Sequence, residues 1–184
     1  MIDEARLFVA AELPEGVRGE LVRWTRHSVA AGSGARRLEV QSLHLTVCFL
    51  GQQPLACVPE LAGVLGGLAE ALSTVGELVV GAPVWLPPRR PRAIAVEIGD
   101  SDGGLHALRA ALAADLEATI DWRPGRQRFR PHVTVARLRA DARPPAALPP
   151  TPPLRFACER VVLLRSHLER DGARYEELAS VGGW

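Results

Sequence analysis

The feature that most restricts this chain is a four-residue pattern used twice. His44-Leu45-Thr46-Val47 recurs as His132-Val133-Thr134-Val135, 88 residues later in a chain of 184. Both copies lie in stretches that read as β-strands, Leu43 to Leu50 and His132 to Leu138. On a strand, residues i and i+2 project to one side, so each histidine shares a face with its threonine. The same alternation puts Leu43, Leu45, Val47 and Phe49 on the core face of the first strand. It puts Cys48 and Leu50 beside His44 and Thr46. Two copies about half a chain apart predict two related lobes, each sending one strand to a shared cleft. A tandem array would need more copies.

The surrounding elements alternate in type. Arg6 to Glu12 predicts a short buried strand, and Pro14 opens a helix that carries Val17, Leu21 and Trp24 and stops at Gly32 and Gly34. Leu61, Leu65, Leu68 and Leu72 form a second helical stripe. Glu77 to Trp85 and Ala93 to Ile98 read as strands joined by a turn rich in proline and arginine. Asp102 is the expected N-cap of a helix with Leu105, Leu108, Leu112 and Leu116 on one face. Ala142 to Pro153 holds six prolines and reads as a stiff connector. Arg160 to Leu164 and Arg174 to Ala179 read as strands around a turn at Asp171-Gly172.

Composition removes whole classes of chemistry. The chain has no lysine, so a phosphate-binding P-loop, a Schiff base and a lysyl-nucleotide intermediate are all excluded. Three cysteines without a CxxC pair argue for a reducing compartment and against a zinc or disulfide framework. No apolar run is long enough to span a membrane, and the acidic start at Asp3 and Glu4 is unlike a signal peptide. A cytoplasmic, monomeric protein is expected. Net charge is +1, but Arg123, Arg126, Arg128, Arg130, Arg137 and Arg139 follow one another with no acid between them. That run is either a solvated loop or a rim that attracts phosphate.

Two histidines and two threonines converging on one cleft suit phosphodiester hydrolysis. One imidazole activates water and the other protonates the departing oxygen, while hydroxyls donate to the non-bridging oxygens. A single His-x-Thr is more often a half-buried histidine satisfied by its neighbours; the repeat is what favours chemistry. A metal site lacks a third ligand, because no carboxylate lies near either motif. Arg137 stands an odd number of residues after His132, so an ideal strand turns it away; a bulge or a strand end brings it round, and otherwise it is a salt-bridge residue. Arg130, two residues before His132, shares its face if the chain stays extended through Pro131. His27, His106 and His167 read as surface residues.

Beyond these patterns, the chain resembles the 2H phosphoesterase superfamily, and within it the RNA 2′,3′-cyclic phosphodiesterases once called 2′-5′ RNA ligases. The resemblance starts at Arg6-Leu-Phe-Val-Ala-Ala-Glu and runs through Leu43-His-Leu-Thr-Val-Cys-Phe-Leu-Gly51 and Pro91-Arg-Ala-Ile-Ala-Val. It continues in Arg128-Phe-Arg-Pro-His-Val-Thr-Val-Ala-Arg137 and ends at Val162-Leu-Leu-Arg-Ser166 with Tyr175-Glu176. It implies an α+β, bilobal fold across 1–184: two pseudo-symmetric lobes with antiparallel sheets around a central cleft and helices outside. It implies hydrolysis of RNA 2′,3′-cyclic phosphate ends to 2′-phosphomonoesters, without metal or cofactor. His44 is then the proton donor and His132 the proton acceptor, with Thr46, Thr134 and Arg137 on the phosphate. Arg130 joins them on geometry alone.

Two rival readings use the same residues. The histidine pair could cleave 2′-5′ linkages or a small cyclic nucleotide. Alternatively the cleft only binds RNA ends, a reading weakened by an aromatic content of 5%, since single-strand binders rely on stacking.

Overall fold

Residues 3–30, 33–120, 122–125, 128–142, 144–169 and 172–183 are described by the computed structural model. Gly32, Arg126 and Asp171, which the sequence reading used, lie outside them. In chain order the elements are β1 (Glu4–Ala11), α1 (Glu15–Ser28), β2 (Ala35–Arg37), β3 (Leu45–Pro54), α2 (Val58–Gly67), α3 (Ala69–Ser73), β4 (Leu78–Leu86), β5 (Ala93–Gly99), α4 (Gly104–Thr119), β6 (His132–Leu138), β7 (Arg155–Phe156), β8 (Arg160–Glu169) and β9 (Gly172–Gly182).

Local chemistry explains the boundaries. Pro14 directly precedes α1 with φ −53°, a value its ring imposes and the helix accepts. The stripe from Leu61 to Leu72 is divided between α2 and α3. At α4 the expected cap is corrected. Gly103 takes a left-handed φ of 73° and folds the chain back, so Asp100 rather than Asp102 faces the open helix end. The Asp100 carboxylate accepts hydrogen bonds from the N–H groups of Leu105 (3.1 Å) and His106 (3.0 Å).

All strand pairings are antiparallel, in the order β7-β4-β5-β6-β3-β1-β8-β9, with β2 added beside β6. The two lobes meet at the centre of this order. One half-sheet is β3-β1-β8-β9 and the other is β6-β5-β4-β7. They join through the single residue pair Leu45↔Val133. Each His-x-Thr strand is therefore the innermost strand of its own half.

Leu7, Val9, Leu45, Val47, Ile94 and Val133 share one core with Leu21, Leu61, Leu105 and Leu112 of the helices. The opposite face of the first half-sheet holds only a small cluster, Phe8, Ala10 and Val162, with Leu164 and Tyr175 against it. That second face has no helix residue packed in its cluster. Helix α1 follows β1 in sequence but touches β6, and α4 follows β5 but touches β3, so the helices lace the halves together. The described residues of the proline-rich connector have no regular structure. It is held by the Trp24 indole N–H donating to the Pro150 carbonyl (2.9 Å) and the Thr151 hydroxyl donating to the Gly81 carbonyl (2.5 Å). Among the described residues, no helix is long and apolar enough to cross a membrane.

Leu45 has 0% exposure and sits in the one pair that joins the halves. Leu45→Ala is expected to cost about 2–5 kcal/mol, read as a lower urea midpoint in chemical unfolding.

Candidate active site

The Leu45↔Val133 pair sets the two motifs side by side. Antiparallel register, carried one residue each way, puts His44 across from Thr134 and His132 across from Thr46. Directly opposed side chains project from the same face, so two imidazoles and two hydroxyls form one patch on the open side of the sheet. Among the described residues neither threonine hydroxyl is engaged by a protein group, which leaves both for a ligand.

Each histidine is oriented by the same device. His44 Nδ1 lies 3.0 Å from the Ser42 carbonyl, and His132 Nδ1 lies 2.7 Å from the Arg130 carbonyl. A carbonyl can only accept, so Nδ1 is the protonated nitrogen in both rings. The neutral ring then keeps its lone pair on Nε2, and neither Nε2 has a protein partner among the described residues. In both motifs the acceptor is the carbonyl two residues upstream.

A second shared device lies just beyond the threonines. Between β1 and β3, Val9 pairs with Cys48 and Ala10 with Thr46, so Val47 is an extra residue. Between β5 and β6, Ile94 pairs with Ala136 and Ala95 with Thr134, so Val135 is an extra residue. Each bulge falls three residues after its histidine and reverses the pleat for the residues just beyond it, up to a second register shift at Leu50 in β3. Arg137 is thereby turned to the open face, as the bulge condition required, and it is exposed. The same reversal overturns the expected parity of β3. Phe49 is 60% exposed instead of buried, and Cys48 is 3% exposed in the core instead of lining the cleft. Phe49 and Arg137 hold equivalent places, five residues after His44 and His132.

Phe49 belongs to an aromatic group around His44 that the sequence reading missed. The Phe8 ring centre lies 4.9 Å from that of His44, 6.1 Å from that of Phe49 and 5.2 Å from that of Tyr175. Tyr175 meets His44 edge-on at 4.9 Å. The available signal was Phe8, which alternates onto this face from β1.

This surrounding tunes the site. Burial, followed by the positive charges of Arg137 and His132, outweighs the Ser42 carbonyl and lowers the His44 pKa from 6.5 to about 4. Burial likewise pushes the Cys48 thiol up to about 11, so it stays protonated and unreactive. Arg130 is exposed and lines a cavity together with His132. The remaining histidines have structural partners: His27 Nδ1 meets the Arg23 carbonyl at 2.7 Å, His106 meets Asp100 at 2.6 Å and His167 meets Glu176 at 2.7 Å. No group of three or more potential metal ligands is found among the described residues.

Comparison with known proteins gives the family of the chain. The family model of the 2′-5′ RNA ligase superfamily matches residues 13–170. The chain belongs to the 2′-5′ RNA ligase superfamily. Within that superfamily it is 31% identical over 181 residues to the RNA 2′,3′-cyclic phosphodiesterase of Thermus thermophilus, covering 94% of this chain and 87% of that protein. It is 27% identical over 185 residues to the Escherichia coli RNA 2′,3′-cyclic phosphodiesterase, covering 97% and 96%. The crystal structure of TT0787 of Thermus thermophilus superposes with a TM-score of 0.81 at 27% identity, covering 96% and 97%. Escherichia coli LigT in complex with NADP+ shares the fold at a TM-score of 0.80 and 22% identity, covering 98% of each chain.

The lowered pKa of His44 has a consequence for stability. In the unfolded chain the ring regains its ordinary 6.5, so on acidification the unfolded state takes the proton first. Stability is then lost as pH falls from 6.5 toward 4 and levels off below, by on the order of 3 kcal/mol in all. Urea unfolding of wild type and His44→Gln at several pH values across that window is expected to show a shallower acid slope in the variant.

Proposed function

We propose that this protein hydrolyses RNA ends carrying a 2′,3′-cyclic phosphate and leaves a 2′-phosphomonoester. The observation that carries the reading is the matched pair of imidazoles, each tied through Nδ1 to its own backbone and offering Nε2 to one open face. The names of the relatives in Thermus thermophilus and Escherichia coli support the same substrate.

In this mechanism His132 Nε2 takes a proton from water, and the oxygen attacks phosphorus. The bond from phosphorus to O3′ breaks, and the departing O3′ receives a proton from His44. Thr46 and Thr134 donate to the non-bridging oxygens, where negative charge grows. Arg137 supplies the fixed positive charge, and Arg130 stands on the His132 side. After one turnover His132 holds a proton and His44 lacks one, so exchange with solvent resets the pair. No metal or cofactor enters a step. The ribose of the leaving oxygen lies on the His44 side, where Phe49 and Tyr175, backed by the buried Phe8, offer aromatic surface to its base.

The acid role asks His44 to carry a proton that its burial disfavours in the empty site. The arriving phosphate solves this by charge. Its anion offsets Arg137 and stabilises the imidazolium. Both motifs come from one chain, so one copy supplies the whole site. Three free cysteines, Cys48, Cys57 and Cys158, suit the reducing cytoplasm.

The primary test is conversion of an oligoribonucleotide 2′,3′-cyclic phosphate in the presence of EDTA, with the end group identified. Wild type is expected to yield the 2′-phosphate, and His44→Ala and His132→Ala each to lose at least about a hundredfold to ten-thousandfold in rate while circular dichroism stays unchanged. A folded wild type that leaves the cyclic end intact would refute the reading. A separate check follows the His44 ring by NMR. Its pKa, about 4 when the site is empty, is expected to rise when a nucleoside 2′-phosphate binds. A ring that does not move would transfer the acid role to His132.

A further inference from the structure

Beyond His132, away from the aromatic group at His44, lies a cavity of about 490 Å3. That is within the roughly 300–1,000 Å3 range of small-molecule sites. Trp85, Pro144 and Pro145 give it flat apolar walls, while Glu97, Arg130 and His132 supply its polar edge. Glu97 is the direct cross-strand partner of His132, so its side chain leaves the sheet on the same face. Gly81 packs beside it without a side chain; a Cβ there would stand 3.3 Å from that of Glu97. Among the described residues neither Glu97 nor Arg130 has an ion-pair partner, so a carboxylate and a guanidinium stand free at the rim. In the same wall the Trp85 indole N–H is buried without a hydrogen-bond partner.

From these features we infer that this cavity is the site of a second nucleoside, and that Glu97 makes it select guanine. The inference rests on the roles proposed above. With His44 on the leaving oxygen and His132 on the water, in-line attack places the nucleophile on the His132 side of phosphorus. An alcohol in place of that water must bring the rest of its molecule into this cavity. A nucleobase fits the walls, because it has apolar faces and a polar edge. An ionised carboxylate only accepts hydrogen bonds. Guanine alone among the four bases presents two adjacent donors, N1–H and N2–H, to such a group. Adenine and cytosine place an acceptor next to the amino group, and uracil flanks its one N–H with two carbonyls. Guanine O6 then faces a donor such as Arg130.

The reaction that reads this site is the scission of a 2′-5′ linkage. The 3′-hydroxyl attacks phosphorus and gives its proton to His44. The bond from phosphorus to O5′ breaks, and O5′ takes a proton from His132. The products are a 2′,3′-cyclic phosphate and a free 5′-hydroxyl nucleoside. Four 2′-5′-linked dinucleotides, ApG, ApA, ApC and ApU, are compared by kcat/KM on the full chain, beside an oligoribonucleotide cyclic phosphate.

ApG is expected to lead by roughly tenfold to a hundredfold, the discrimination that a well-made bidentate base contact supplies. Glu97→Gln is expected to bring ApG down to the level of the other three and to leave cyclic phosphate hydrolysis within about twofold of wild type. Equal turnover of all four by wild type, or no cleavage of any by protein that hydrolyses the cyclic end, would overturn the inference and leave the proposed function standing. Loss of cyclic phosphate hydrolysis in wild type would overturn both.

Discussion

Everything in the site hangs on one pairing between two strands. Leu45 and Val133 are each fully buried and are the single residue pair through which the two half-sheets join. Their burial settles the register, because a slip of one residue would drive His44 or His132 into the core and lift a leucine or valine into water. The apolar residue between each histidine and threonine therefore decides where the imidazoles go. The hydrophobic effect holds the register, and the polar residues on either side inherit their positions from it.

The two bulges extend that order by one more residue per motif. Without them, Phe49 and Arg137 would point into the core, where a guanidinium would be costly to desolvate. With them, the open face gains an aromatic ring in one half and a cation in the other. The halves are alike in backbone and unlike in chemistry: one brings Phe49, Phe8 and Tyr175, the other brings Arg130 beside His132 and Arg137, whose charge reaches His44. A cyclic phosphate end is asymmetric in the same way, with a nucleoside on one side of phosphorus and water on the other.

The aromatic surround of His44 has an electrostatic effect. Removing water from the ring is the main reason its pKa falls to about 4, and nearby positive charge contributes to the same fall. No carboxylate is among the groups that act on the ring, and the Ser42 carbonyl alone favours its proton in the empty site. The compensating negative charge has to come from the ligand. In the proposed mechanism the substrate phosphate supplies that charge, and the protonated form of His44 is linked to occupancy of the site.

Strand and helix types were legible in the sequence because they are local. Alternation from Leu43 to Val47 and leucine spacing in α4 reflect which side of each element meets the core, and β6 runs from His132 to Leu138 as its pattern predicts. The repeated His-x-Thr was legible for the same reason, since side-chain direction over two residues follows from the pleat alone. The short strands β2 and β7 have too few residues to show a period. What only the tertiary structure decided is how distant segments register. The bulges at Val47 and Val135 arise from pairing with β1 and β5, so no pattern within β3 could disclose that Phe49 is exposed and Cys48 buried. The cap on α4 depends on a glycine turn that returns Asp100 to the helix end. Glu97 comes to stand beside His132 through a ladder between residues far apart in the chain. Sequence determines the preference of each segment for a face; which face a given side chain finally meets depends on the strand laid next to it.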